Sequence, residues 1–250
     1  MECLVMKFAL IGDIHGNLPA LKSVYAHIKT QNVLSVFNIG DSVGFGPYPN
    51  EVITFLKAHS ILSILGNYDD KVLLFPSKKS KWKKNKHPLK YLAFKWTYNK
   101  LSSMGLSYLS SLPKEIRLNI YDYRILLTHA SPDSDEEHLT PDTPRERFKK
   151  LARTSASDIV VFGHSHIPFH HKENNVTFIN TGSVGRQDDG NPEASYAIID
   201  IRKNRLKIHH YRLSYNTRTV ENKIKTEKLP PEYAKMFRLG VNLDMVLSKD

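Results

Sequence analysis

The chain has 250 residues, 40% of them hydrophobic and 24% charged, which is enough apolar material for a substantial core. No apolar run approaches the roughly 18 residues of a membrane span, which excludes a transmembrane helix, and the single cysteine, Cys3, excludes an intramolecular disulfide, so a cytoplasmic protein is expected. The 36 Lys and Arg outnumber the 25 Asp and Glu for a formal net charge of +11, a balance that draws anionic partners, whether phosphorylated substrates or nucleic acid.

The first apolar run, Phe8 to Ile11, passes straight into Gly12, Asp13 and His15 with no small-residue cleavage site, so it reads as a strand and not as a signal peptide. Leu18 to Ile28 has helical spacing, Val33 to Ile39 is a second strand ending at Gly40, Val52 to Leu56 reads as helix, and Ile61 to Leu65 as a strand ending at Gly66. Pro76 to Lys90 breaks the rhythm with Lys78, Lys79, Lys81, Lys83, Lys84 and Lys86 around Trp82 and reads as an exposed insertion. Tyr91 to Leu112 resumes helical spacing, so residues 70–112 are expected to form a small cap. Arg124 to Leu127 and Ile159 to Phe162 repeat the strand pattern and end in Thr128-His129 and Gly163-His164. Val176 to Ile179, Ser195 to Ile201 and Leu206 to Leu213 read as antiparallel strands, and residues 216–250, with Pro230-Pro231, as a peripheral helix or arm. This order predicts a layered α/β domain over residues 1–250.

Polar, metal-capable residues follow five of these strands, and in open α/β sheets ligands gather beyond the carboxyl ends of the strands. Asp13 and His15 in GDIHGN are one residue apart, so both can leave one strand end toward one cation while Ile14 turns to the core. Asp41 in GDSVGFG, Asn67 in GNYD, His129, and His164 and His166 in GHSH complete the set. Each alone is explained as a turn, cap or packing residue; their joint order points to a site. Carboxylate, amide and imidazole together suit Mn, Fe or Zn better than Ca or Mg, which take oxygen ligands.

These motifs closely resemble the calcineurin-like metallophosphoesterase superfamily, whose ordered signature is D-x-H, G-D-x-x-G, G-N-H-D/E, a lone His and G-H-x-H. The resemblance runs from Phe8 to about Ile201 and is greatest to the compact bacterial and archaeal phosphodiesterase branch. It implies a four-layer α/β/β/α sandwich of two mixed sheets flanked by helices, with the site at the strand ends. It also implies two divalent transition-metal ions, Mn foremost and Fe, Zn or Ni as alternatives. Asp13, His15 and His166 would hold one, Asn67, His129 and His164 the other, and Asp41 would bridge them. The implied reaction is hydrolysis of a phosphodiester, phosphomonoester or phosphoanhydride by a hydroxide between the cations, with a small phosphorylated substrate such as a nucleotide as partner. The departure is Tyr68, which stands where the family has a histidine thought to assist the leaving group. Asn67 and Tyr68 are thus the catalytic candidates, and a preference for good leaving groups is expected, because a phenol is a poorer proton donor at neutral pH than an imidazolium. The segment NTGSVGR, Asn180 to Arg186, resembles a family loop near the metals, which makes Arg186 a candidate phosphate ligand. Asn17 either caps the first helix, the favoured role, or offers its amide to substrate.

Rival readings follow from other features. The lysine cluster, with Trp82 as a stacking platform, would suit a nuclease holding a strand, although a solvated loop is favoured. A non-catalytic scaffold, like the retromer subunit of the same superfamily, would keep the fold without needing intact ligands. Gly40 to Gly44 matches the G-x-S-x-G elbow with Ser42 as nucleophile, but leaves the other histidines and carboxylates unexplained, and no P-loop is present. His170-His171 and His209-His210 place neighbours on opposite strand faces and read as structural.

Overall fold

Alternating side chains of the first strand, β1 (Met6–Ile11), set the layering: Phe8 and Leu10 face one side, Ala9 and Ile11 the other, and all four are buried. The computed structural model describes residues 5–248, so Cys3, Lys249 and Asp250 lie outside the described residues. In chain order there follow α1 (Leu18–Ile28), β2 (Ser35–Asn38), α2 (Pro49–Ala58), β3 (Leu62–Ser63), α3 (Asn67–Leu73), α4 (Phe75–Asn85), α5 (Pro88–Lys100), α6 (Ser103–Ser111), β4 (Glu115–Ile120), β5 (Tyr123–Thr128) and α7 (Arg145–Thr154). The second half continues with β6 (Ile159–Phe162), β7 (Phe169–Glu173), β8 (Val176–Asn180), β9 (Ala194–Arg202), β10 (Arg205–Leu213), α8 (Thr217–Thr226), α9 (Pro231–Leu239) and α10 (Leu243–Leu247).

The strands form two five-stranded mixed sheets, in the orders β10-β9-β1-β2-β3 and β4-β5-β6-β8-β7. In the first, β1 pairs parallel with β2 and antiparallel with β9. In the second, β5, β6 and β8 run parallel, and β4 and β7 are antiparallel edges. The period-2 pattern gives each sheet two apolar faces. Phe8, Leu10, Ile199 and Ile201 meet Ile125, Leu127, Ile159 and Val161 between the sheets. On the outer faces, Ala9, Ile11 and Ile198 pack on Leu21, Val24 and Ile28 of α1, while Val160, Phe162 and Phe178 pack on Phe148 and Leu151 of α7. The result is a four-layer α/β/β/α sandwich, the architecture expected from the motifs.

Three local expectations differ from the structure. The lysine-rich stretch is not an irregular insertion: α4 is a helix anchored by buried Phe75 and half-buried Trp82, and lysine itself has good helix propensity. Trp82 is no outward platform either, since its ring packs on Phe94 at 5.3 Å between centroids. Residues 217–248 take the helical alternative, as α8 to α10, but they are not merely peripheral, because Val220, Ile224, Tyr233, Met236 and Phe237 are buried in a cluster that also takes in Phe45 and Ala93. Among the described residues no helix is long and apolar enough to cross a membrane.

Candidate metal centre

The seven candidate ligands arrive from the carboxyl ends of strands in both sheets. Asp13 and His15 follow β1, Asp41 follows β2, Asn67 opens α3 just after β3, His129 follows β5, and His164 and His166 follow β6. Five of them sit in the left-handed region: φ is 51° at Asp13, 48° at His15, 52° at Asp41, 66° at His164 and 60° at His166. That conformation is costly for residues with a Cβ and persists where surrounding structure over-determines it, which is characteristic of functional sites. Two glycines permit the close approach of the loops. Gly40 has φ +92°, and a Cβ there would come within 2.6 Å of the Gly66 Cα, so the Asp41 and Asn67 turns touch backbone to backbone.

The donor atoms converge. His166 Nε2 lies 3.1 Å from Asp13 Oδ1 and 3.2 Å from His15 Nε2. Asp41 Oδ2 stands 3.6 Å from both His15 Nε2 and His129 Nε2, midway between the two halves of the cluster. Asn67 Oδ1 is 3.3 Å from His129 Nε2, whose other nitrogen, Nδ1, donates to the Ile39 carbonyl at 2.8 Å and so fixes the ring. Among the described residues, two groups of three have donor atoms within 4.8 Å of one another: Asp13, His15 and His166, and Asp13, Asp41 and His129. His164 belongs to neither group. Its backbone N–H donates to Asp13 Oδ2 at 3.0 Å, its ring lies 5.2 Å from that of His129, and its buried Nε2 has no hydrogen-bond partner among the described residues.

Burial dominates the electrostatics. It pushes His15 well below its ordinary value, with the positive charges of Arg186 and His166 adding to it, and takes His164 down to about 2 with help from His129 and His138. Burial acts upward on Asp13, but His166, His129 and His164 outweigh it and hold that carboxylate below its usual range. Asp41 is raised, by burial first and then by the charge of Asp13. Burial also opposes the charging of His129 and His166, yet both are raised, His129 by Asp41 and Asp13, and His166 to about 9 by Asp188 and Asp13. Two desolvated carboxylates, four imidazoles and an orphaned ring nitrogen form a donor set that fits divalent transition-metal ions.

The remaining expected residues divide. Arg186 is buried beside the cluster, with Nη2 3.4 Å from both His166 Nδ1 and Asp188 Oδ2, and its guanidinium over the rings of Phe45 and Tyr68 at 5.2 and 5.5 Å. Its Nε is unpartnered. Tyr68 donates its backbone N–H to Asp41 Oδ1 at 2.7 Å and sets its ring edge-on to His15 at 5.2 Å. Asn17 is engaged within the fold: Oδ1 caps α1 by accepting from Ala20 N at 3.2 Å, and Nδ2 donates to the Gly185 carbonyl at 2.8 Å and to Tyr215 Oη at 3.1 Å. Both hydrogens of the buried amide are thus used within the fold, which is the helix-capping role favoured from the sequence. Ser42, the would-be elbow nucleophile, is buried and accepts from Asn38 Nδ2 at 2.9 Å. His170 stacks on His210 at 5.8 Å across the two sheets, and His171 on Phe148 at 4.3 Å, as packing residues do.

Three neighbours of the cluster lie outside the residues expected from the sequence. Asp69 accepts from Ser42 N, Val43 N and Gly66 N at 3.1, 3.0 and 3.2 Å, tying the Asp41 loop to the start of α3; burial, with Asp41 beside it, raises its carboxyl to about 7. The acidic fourth position of GNYD was its signal. Asp188 lies behind His166, Oδ2 to Nδ1 3.4 Å, in the carboxylate–imidazole relation that orients metal-ligating histidines. His138, on the loop after β5, is exposed and packs its ring 4.3 Å from that of His164. Neither Asp188 nor His138 lies in a motif, so only the folded arrangement reveals them.

The calcineurin-like phosphoesterase superfamily domain matches residues 6–204. The uncharacterized protein MJ0912 of Methanocaldococcus jannaschii is 34% identical over 249 residues, covering 93% of this chain and 97% of that one. Phosphodiesterase YfcE of Escherichia coli (strain K12) is 24% identical over 206 residues, covering 78% of this chain and 88% of its own. The crystal structure of a metallophosphoesterase from Sphaerobacter thermophilus superposes with a TM-score of 0.77 at 26% identity, covering 95% of this chain and all of that one. With its sandwich, its strand-end cluster and this match along most of its length, the chain belongs to the calcineurin-like phosphoesterase superfamily.

Proposed function

We propose that the protein is a dinuclear metal-dependent phosphoesterase acting on phosphodiester, phosphomonoester or phosphoanhydride bonds, with Mn the foremost metal and Fe, Zn or Ni as alternatives. The observation that carries this reading is the position of Asp41 Oδ2, 3.6 Å from a histidine of each half of the cluster. Asp13, His15 and His166 would hold one cation, Asn67, His129 and His164 the other, with Asp41 shared. Two cations so held supply positive charge opposite the oxygens of an in-line displacement and make hydroxide available near neutral pH. YfcE, a relative along most of the chain, is a phosphodiesterase by name.

The chain's own residues do the rest. Arg186, braced by Asp188 and by the faces of Phe45 and Tyr68, has an unpartnered Nε to offer a phosphate oxygen, and its planar fork suits that recognition. The Tyr68 hydroxyl stands as hydrogen-bond donor to the leaving oxygen. Residues 70–112 act as a cap that sets access to the site. The test is hydrolysis of a bis-aryl phosphate by protein reconstituted with Mn²⁺. Turnover that a chelator abolishes and Mn²⁺ restores is expected, whereas a metal-loaded but inert protein would favour the scaffold reading.

A further inference from the structure

The positive charge of this protein is not spread over it. Residues 71–114 contain eleven lysines and not one Asp, Glu or Arg, and the rest of the chain balances 25 basic against 25 acidic residues. The whole net charge of +11 therefore resides in one segment, the one that forms α4, α5 and α6. Four of its lysines are neutralised by acids elsewhere: Lys71 by Glu136, Lys90 by Asp244, Lys100 by Glu227 and Lys114 by Asp135. Those of α4 are not. Lys78, Lys79, Lys81, Lys83 and Lys84 are exposed, and no carboxylate pairs with them among the described residues. Unpaired like charges on one short helix repel one another and raise the local concentration of polyanions at this face.

The helix also lies near the chemistry. His15, Tyr68, Phe94 and Trp82 form a chain of ring contacts with centroid steps of 5.2, 5.2 and 5.3 Å, which puts Trp82 of α4 within about 16 Å of a candidate ligand. Lys86 lies over Trp82 and Phe94 at 5.2 and 5.6 Å, so an unneutralised cation stands beside this path. At the axial rise of about 3.4 Å per nucleotide in a stacked strand, the span takes up at most roughly five nucleotides. We propose that α4 is a docking surface for single-stranded nucleic acid, whose backbone it holds while one phosphodiester reaches the buried cluster. The inference rests on the phosphoesterase reading for its catalytic half. A lipid surface fits less well, because the apolar residues of α4, Phe75 and Trp82, pack inward and leave no apolar face to enter a bilayer.

The test compares the wild type with the quadruple variant K79Q/K81Q/K83Q/K84Q, whose positions are all exposed and whose replacement leaves the core untouched. Binding of a labelled 15-residue oligodeoxynucleotide is followed by fluorescence anisotropy across a salt series, and Mn²⁺-supported hydrolysis of oligonucleotides of increasing length is measured beside that of a bis-aryl phosphate. The variant should bind at least about tenfold more weakly, and its dependence of log K on log salt should be shallower by about 3, from roughly 0.7 per lost phosphate contact. Its bis-aryl phosphate turnover should match the wild type, and only the wild type should show a KM that falls as substrates pass about five nucleotides. Equal oligonucleotide affinity and salt slope in the two proteins would overturn the docking surface, as would wild-type binding to phosphatidylserine vesicles with none to the oligonucleotide. Absence of hydrolysis of every phosphodiester with the binding difference intact would instead overturn the phosphoesterase reading.

Discussion

In the proposed reaction, Tyr68 is the residue placed to act on the leaving group. It follows Asn67, holds Asp41 Oδ1 through its backbone N–H, and packs among His15, Phe45 and Phe94, so its ring is placed by the same contacts that place the cluster. Tyr68→His should raise turnover of alkyl relative to aryl esters by about tenfold or more, since a general acid matters most where the leaving group is poor; an unchanged ratio removes the leaving-group role. Asp69 acts through structure. Asp69→Ala leaves three buried backbone N–H groups without their acceptor and should cost about 3 kcal/mol in denaturant unfolding. The metal-free protein should also show pH-dependent loading. Asp188 and Asp13 push His166 up to about 9 there, a ligating imidazole must be neutral, and a proton must therefore leave. Metal affinity should rise about tenfold per pH unit between about pH 7 and 8 in calorimetric titrations, and a flat profile would show that His166 does not ligate.

At the level of elements, the strand-end residues were legible because the glycine and the polar residue after it recur at fixed places, Gly12-Asp13, Gly40-Asp41, Gly66-Asn67 and Gly163-His164. A short-range signal marked each of them. What the sequence did not reveal depends on distant partners. Strand β4 is an exception, with a local alternation of Ile116, Leu118 and Ile120, whereas α7 has few buried apolar residues, Phe148 and Leu151, in an otherwise charged stretch. Val220 and Ile224, and Tyr233, Met236 and Phe237, have helical spacing, but what α4 and α8 to α9 pack on, Phe94, Phe45 and Ala93, lies far away in the chain. The touching turns make a further prediction. A Cβ on Gly66 would overlap the backbone nitrogen and Oδ1 of Asp41, so Gly66→Ala should lose about 3 kcal/mol of stability along with metal binding. Retention of both would mean that the two turns are not held together as described.

For the whole molecule, the cluster lies where two sheets meet. Asp13, His15, Asp41 and Asn67 come from the first sheet's strand ends, and His129, His164 and His166 from the second's. Cations held there would tie the halves of the sandwich together. At a metal concentration 1,000 times Kd the native state gains about 4 kcal/mol, and a protein of this size should melt about 10 °C higher when loaded. The chelated protein should keep the same fold with a lower Tm, because the apolar layers of Phe8, Leu10, Ile199, Ile125 and Val161 do not depend on the metal.

The most direct test is a crystal of the Mn²⁺-loaded protein measured at the manganese absorption edge. The account predicts two anomalous peaks roughly 3.5–4 Å apart, one beside Asp13, His15 and His166, one beside Asn67, His129 and His164, with Asp41 reaching both. A single peak, or two that do not share Asp41, would contradict it.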